Sequence, residues 1–166
     1  MLKGKVNRIL MSGLVVCFCS CDSKRVYDAY QAIPNQWHKD SLVSFTFQTP
    51  DTINSYNLFI NLRNTQSYPY SNLYLITSLN HPNGKIIKDT LEYKMAAPSG
   101  ELLGTGFSDI KENKLWYKGH EADFRFEESG TYTLDIQHAM RKNGDVDGLV
   151  FLDGVTDVGF RIEHKQ

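Results

Sequence analysis

The sequence predicts an all-β protein, an antiparallel β-sandwich of the jelly-roll or immunoglobulin-like kind with about nine strands. Three observations predict it. From Leu42 onward apolar residues recur with a period of two, the spacing of strands that bury one face. The runs return at intervals of about ten residues between turns rich in Gly, Pro and Asn, and no stretch has the length and period of a strong helix. Aromatic residues make up 12% of the chain, with nine Tyr and nine Phe, which suits a pleated, half-buried surface. A closed barrel is the alternative that the same pattern allows.

The chain opens on an address. Lys3, Lys5 and Arg8 form a positive region ahead of an apolar run at 9–18 that only Ser12 and Gly13 interrupt, the pattern of a secretory signal peptide. About ten apolar residues are too few for a membrane-spanning helix, which needs roughly 20. The run ends in Phe18-Cys19-Ser20-Cys21-Asp22, which resembles the lipobox of bacterial lipoproteins. Of the three cysteines only Cys21 follows a small residue, since Val16 precedes Cys17 and Phe18 precedes Cys19. Cys21 is therefore expected to become the lipidated first residue of the mature chain. The alternative is an ordinary signal peptide cut near Ser20. No cysteine follows Cys21, so no disulfide can form within the mature chain.

Removing the three basic residues of the signal leaves fifteen basic against nineteen acidic residues. The mature chain lacks the basic excess of a nucleic-acid binder and has no run of like charges to suit a polyanion. A chain of about 150 residues can bury close to 70% of its unfolded surface, enough for one core without disulfides.

The segments then follow in order. Residues 22–39 are mostly polar, with Tyr27, Tyr30 and Trp37 scattered and Pro34-Asn35 breaking any helix. They read as a tether that could extend on the order of 60 Å from the lipid, unless Tyr27 and Trp37 dock on the domain. The chain thus divides into a signal peptide at 1–20, a lipid-anchored tether at 21–41 and a sandwich at 42–166. In the first strand Val43, Phe45 and Phe47 alternate with polar residues, and in the second Tyr56, Leu58, Ile60 and Leu62 do so. These two are expected to neighbour each other in one sheet. Residues 73–79 are apolar on both sides and are placed centrally. His81-Pro82-Asn83-Gly84-Lys85 turns the chain into a return strand at 86–95, because Asn-Gly takes the positive φ of tight hairpins.

Residues 96–114 are irregular, with room for one helical turn near 109–113, and Leu115-Trp116-Tyr117 reads as a short strand or aromatic ridge. Ala122, Phe124 and Phe126 are expected to pair with Tyr132, Leu134 and Ile136 as a second hairpin about Ser129-Gly130. A turn at 143–148 leads to residues 149–152 and a last strand at 155–163.

No set of residues reads as catalytic. Asn143-Gly144-Asp145-Val146-Asp147-Gly148 resembles the first half of a calcium loop, but the twelfth position is Gly154, where the bidentate Glu belongs. It is read as a plain turn, and no metal or cofactor is expected. The glycines at 100, 104 and 106 lack the Lys-Ser or Lys-Thr of a phosphate loop. The five histidines have no chelating spacing, and His138 continues an apolar face as a partly buried structural residue. Tyr68, Tyr70, Trp116 and Tyr117 are candidate partner contacts, set against the plainer reading that they plug the open ends of the sandwich.

The lipobox at Cys21, together with Tyr68-Pro-Tyr-Ser-Asn-Leu73, Pro82-Asn-Gly-Lys85, the segment at 89–98, the long segment at 104–117 and the one at 156–163, resembles the gliding-motility lipoprotein GldH family of Bacteroidota. The likeness spans nearly the whole chain, and the string from Asp89 to Tyr117 is its most specific part. The resemblance implies a cell-envelope lipoprotein with no catalytic residues or cofactor to carry over. The reading is a non-enzymatic component of the gliding machinery or an associated secretion apparatus, whose partners are other envelope proteins. The alternative is a lipoprotein whose β-sandwich binds glycans. Surface-exported lipoproteins of this phylum are expected to carry acidic residues just after the cysteine. Here Asp22-Ser23 leads into Lys24-Arg25, which favours a periplasm-facing domain.

Overall fold

Ten strands run through residues 22–106 and 109–166, the part of the chain that the computed structural model describes. They are β1 (Arg25–Ala32), β2 (Gln36–His38), β3 (Val43–Gln48), β4 (Tyr56–Asn64), β5 (Asn72–Asn80), β6 (Ile86–Lys94), β7 (Lys111–Lys118), β8 (Thr131–His138), β9 (Phe151–Asp153) and β10 (Val155–His164). The signal peptide and Cys21 lie outside the described residues.

Every pairing is antiparallel. One sheet has the order β1-β10-β4-β7, the facing sheet the order β3-β8-β5-β6, and β2 pairs with β9 in a small third sheet. With the short β2 and β9 set aside, the eight main strands lie in the order 1-8-3-6 against 2-7-4-5, which is the interlocked Greek-key order of a jelly roll. The facing sheets bury Val43, Phe45 and Phe47 against Leu58, Ile60, Leu62, Phe160 and Ile162. At about 25 cal/mol per Å² of apolar surface removed from water, this shared layer is the main source of stability.

Several expectations need correction. The two strands read as neighbours, β3 and β4, lie in opposite sheets. Their common period shows that each buries one face, but not against which strand. The second hairpin is absent: residues 122–130 cross from one sheet to the other, with one backbone bridge to β4 between Phe124 and Tyr56, while β8 pairs with β3 and β5. Phe126 is nevertheless buried, its ring 5.1 Å from Tyr132 and 5.5 Å from Tyr56. The short strand at 115–117 starts earlier, at Lys111, so β7 takes up residues where a helical turn was allowed.

The expected tether is part of the fold. β1 forms an edge of the first sheet, pairing Ala29 with Phe160 and Tyr30 with Gly159. Tyr27 packs 5.5 Å from Phe47 and 5.8 Å from Phe160. Gly159 is required by the Tyr30 ring, which would stand 2.7 Å from any Cβ there. Trp37 in β2 is buried, and its indole N–H donates to the Ser41 carbonyl at 2.9 Å. The folded unit therefore begins at Arg25 rather than at residue 42.

The β5–β6 hairpin follows its sequence. Gly84 has φ 88°, and the His81 amide donates to the Lys85 carbonyl at 2.8 Å.

Candidate functional site

The strands give the sandwich two poles. The near pole holds the start of β1, the end of β10, and the connections at 49–55, 81–85 and 119–130. The far pole holds the connections at 33–42, 65–71, 95–110 and 139–150, together with the β2–β9 pair.

Arg161 organises the near pole. Its guanidinium donates to Asp28 at 2.8 Å, to Glu163 at 2.5 Å and to the carboxylate of Asp22, the first described residue. Lys114 donates to the same Glu163 at 2.7 Å. Burial works against charge on Arg161, but Glu163, Asp22 and Asp28 outweigh it and hold the group protonated. Asp22 in turn sits below its ordinary value, chiefly through the hydrogen bond from Arg161. The chain next to Cys21 is thus clamped to the sheet. Lys24 and Arg25 beside it are exposed and make no ion pair among the described residues.

A second near-pole feature is the turn after β3. The Asp51 carboxylate accepts from the amides of Ile53 at 2.8 Å and Asn54 at 2.7 Å and from the Tyr56 hydroxyl at 2.6 Å. The bond from Tyr56 lowers the Asp51 carboxyl, while burial and this anion push the Tyr56 phenol up to about 12. This rigid turn presents Ile53 at its tip, 78% exposed.

The four aromatic residues predicted as partner contacts do not form one patch. Tyr68 is only 3% exposed, and its hydroxyl donates to the Asn72 carbonyl at 2.6 Å. Tyr117 is buried as well, with its hydroxyl 3.2 Å from Asp89. Burial raises the phenols of both. Successive β7 side chains point to opposite faces, so Trp116 lies outward while Tyr117 enters the core. Trp116 is 40% exposed near the near pole, with Phe59 at 4.3 Å and His120 at 4.7 Å from its ring. It borders a side cleft of about 500 Å³ that Tyr93 also lines. Tyr70, half-buried at the far pole, stands 6.1 Å from Tyr68.

Tyr70's other neighbours were not anticipated. It lines a far-pole hollow of about 440 Å³ with Val150, Phe151, Asp145, Asp147 and Asp153. Phe151 is 48% exposed, and Val146 stands 87% exposed on the connection bordering it. The signal was the unbroken apolar run at 149–152, which a strand with one buried face does not need. At the far-pole end of β8, His138, expected to be partly buried on an apolar face, is 3% exposed, and its ring N–H donates to the Trp37 carbonyl at 2.9 Å. Burial lowers its pKa from 6.5 and favours the neutral ring.

Residues 143–148 form a turn in which the Asp145 amide donates to the Lys142 carbonyl at 3.1 Å. Among the described residues no three His, Cys, Asp or Glu side chains gather as a metal site.

A family model described as GldH lipoprotein matches residues 25–162. The chain is 58% identical over 149 residues to the gliding motility lipoprotein GldH homolog of Christiangramia forsetii, covering 90% of each chain. It is 47% identical over 161 residues to the gliding motility lipoprotein GldH of Flavobacterium johnsoniae, covering 97% of this chain and 98% of that one. Among solved structures, the VP2 subviral particle of infectious bursal disease virus aligns with a TM-score of 0.41 at 18% identity, over 86% of this chain and 33% of the capsid chain.

Proposed function

The chain belongs to the GldH lipoprotein family, and on that premise we propose that it is a non-enzymatic component of the gliding machinery or an associated secretion apparatus. It is held in the envelope by a lipid on Cys21, with its domain facing the periplasm, and acts by binding another envelope protein. The observation that carries the partner assignment is the far-pole hollow. Half-exposed Phe151 and Val150 offer apolar area, Tyr70 offers an aromatic anchor, and Asp145, Asp147 and Asp153 supply an acidic rim. Such a surface suits a partner that presents an apolar side chain flanked by Lys or Arg.

A photo-activated cross-linker placed at position 151 in intact cells tests this reading. The expected result is a discrete adduct with an envelope protein that disappears when Val150→Asp is added. A cross-linker at Lys88, on β6 and away from the hollow, is the control. Equal adducts from both positions would overturn the assignment. The anchor is tested separately, since Cys21→Ala is expected to abolish lipid labelling and release a folded domain from the membrane fraction.

The glycan-binding alternative would use the side cleft with Trp116 and Tyr93. Phe59 and His120 already crowd the Trp116 ring, which leaves less of it to stack on a sugar. A glycan array probed with the purified domain separates the two readings.

A further inference from the structure

We propose that the near pole docks directly on the phospholipid bilayer, with Ile53 and Trp116 entering the headgroup layer and Lys24 and Arg25 meeting lipid phosphates. The inference rests on the Cys21 anchor proposed above and adds an orientation to it.

The length of chain beyond the structure carries the argument. Only Asp22, Ser23 and Lys24 lie between Cys21 and the first residue of β1. Three residues span at most about 10 Å when fully extended. They do not extend freely, because Arg161 holds the Asp22 carboxylate against the sheet. A lipid on Cys21 therefore brings the near pole to the membrane surface, with no linker on which the domain could swing away.

The groups displayed there fit that position. Ile53 stands 78% exposed on a turn fixed by Asp51, so its apolar side chain is held outward and left uncovered by the described residues. Trp116, Lys24 and the C-terminal residues line one hollow of about 300 Å³, which places the indole beside the residue three positions from the anchor. Tryptophan favours the headgroup level, where its ring is apolar and its N–H stays wet. Lys24 and Arg25 have no ion pair among the described residues, whereas Lys85, Lys118 and Lys165 at the same pole are paired with Glu127, Asp89 and Asp123. Lys24 and Arg25, three and four positions from Cys21, are thus free to meet an anionic surface.

The chain has two tryptophans, which makes the proposal measurable. Trp37 is 1% exposed at the far pole, roughly 30 Å away along the ten residues of β10. The lipidated full-length protein, purified from membranes, is reconstituted into vesicles of phosphatidylethanolamine with a minor share of phosphatidylglycerol. Emission is then compared between ordinary and brominated acyl chains. Interfacial Trp116 predicts clear quenching of its emission by the brominated chains, removed by Trp116→Phe and weakened by Ile53→Asp while both variants still float with the vesicles. Flotation with unquenched Trp116 would overturn the docking and leave the anchor standing. Failure to float would overturn the anchor and the docking together. Should Trp116→Phe fail to fold, depth-dependent quenching of a fluorophore at position 53 gives the same decision.

Discussion

The two poles of this sandwich are built in opposite ways. The near pole is tied together by carboxylates: Asp51 binds its own turn, and Arg161 links Asp22, Asp28 and Glu163. The far pole instead leaves apolar side chains uncovered: Val150 and Phe151 line a hollow with an acidic rim, and Val146 stands exposed on the same connection. Turns and strand ends tied by ion pairs and hydrogen bonds hold an orientation. Loops with uncovered apolar side chains suit recognition. One domain can thus be fixed at one end and free to bind at the other, and the following experiments probe that division.

The largest effect is expected from deleting residues 22–38, which removes β1, β2 and the buried Trp37. The remaining chain is expected to lose its cooperative melt, because β10 loses its edge partner and the far end of the core is opened. A truncated protein that melts like the full one would show that the near-pole clamp carries no fold energy. Within the far pole, Tyr68→Ala is expected to cost about 3 to 5 kcal/mol, or roughly ten degrees in midpoint, because it empties a buried site. Tyr70→Ala, half-exposed beside it, is expected to cost about 1 kcal/mol. Thermal melts of the two variants test whether one tyrosine plugs the core while the other faces the partner.

Next in size is Arg161→Ala, expected to cost about 2 to 3 kcal/mol by leaving three carboxylates with Lys114 alone. Hydrogen exchange is expected to quicken over 25–32 and leave 149–153 unchanged. Uniform change across both poles would break the comparison. Phe151→Asp is expected to change stability by only about 0.5 kcal/mol while abolishing the far-pole adduct. A large fall in midpoint would make Phe151 a core residue instead.

The poles also differ in their response to acid. His138 has a lowered folded pKa through burial, so the unfolded chain takes up a proton first and stability falls as pH drops below 6.5. Asp22 and Glu163 have folded values lowered from 3.8 and 4.5, Asp22 chiefly by Arg161 and Glu163 by Lys114 and Arg161 against the cost of burial. Their stabilisation is full above those ordinary values and is lost only as pH falls through the lower folded ones. Melts from pH 7.5 to 5 are expected to show a decline that His138→Gln reduces and Glu163→Gln leaves intact. The reverse ranking would assign the early acid response to the near pole.

Much of this architecture was legible in the residues. The period of two identified β3, β4 and β8, the apolar run at 73–79 marked β5, and Asn83-Gly84 marked the hairpin that leads into β6, because period and turn chemistry are local properties. β1 was not legible. An edge strand with one partner needs little apolar surface, and Tyr27, Ala29 and Gln31 alternating with Asp28 and Tyr30 look polar until Phe47 and Phe160 are set beside them. The segment at 122–130 erred the other way. Its alternating phenylalanines satisfy a core seen from a crossing loop as well as they satisfy a strand.

The sequence by itself pointed to an export signal with Cys21 as its expected anchor, and it determined the all-β class, the GldH resemblance and which face of β3, β4 and β8 turns inward. Only the tertiary structure decided which strands are neighbours, that residues 25–38 belong to the fold, and which aromatics remain in solvent. The reason is that alternation records the direction of a side chain relative to its own backbone. Exposure depends on what another part of the chain lays over it. Tyr117 and Trp116 are adjacent in sequence and equally aromatic, yet one is sealed into the core beside Asp89 and the other stays 40% open near the opposite end of the molecule from Trp37.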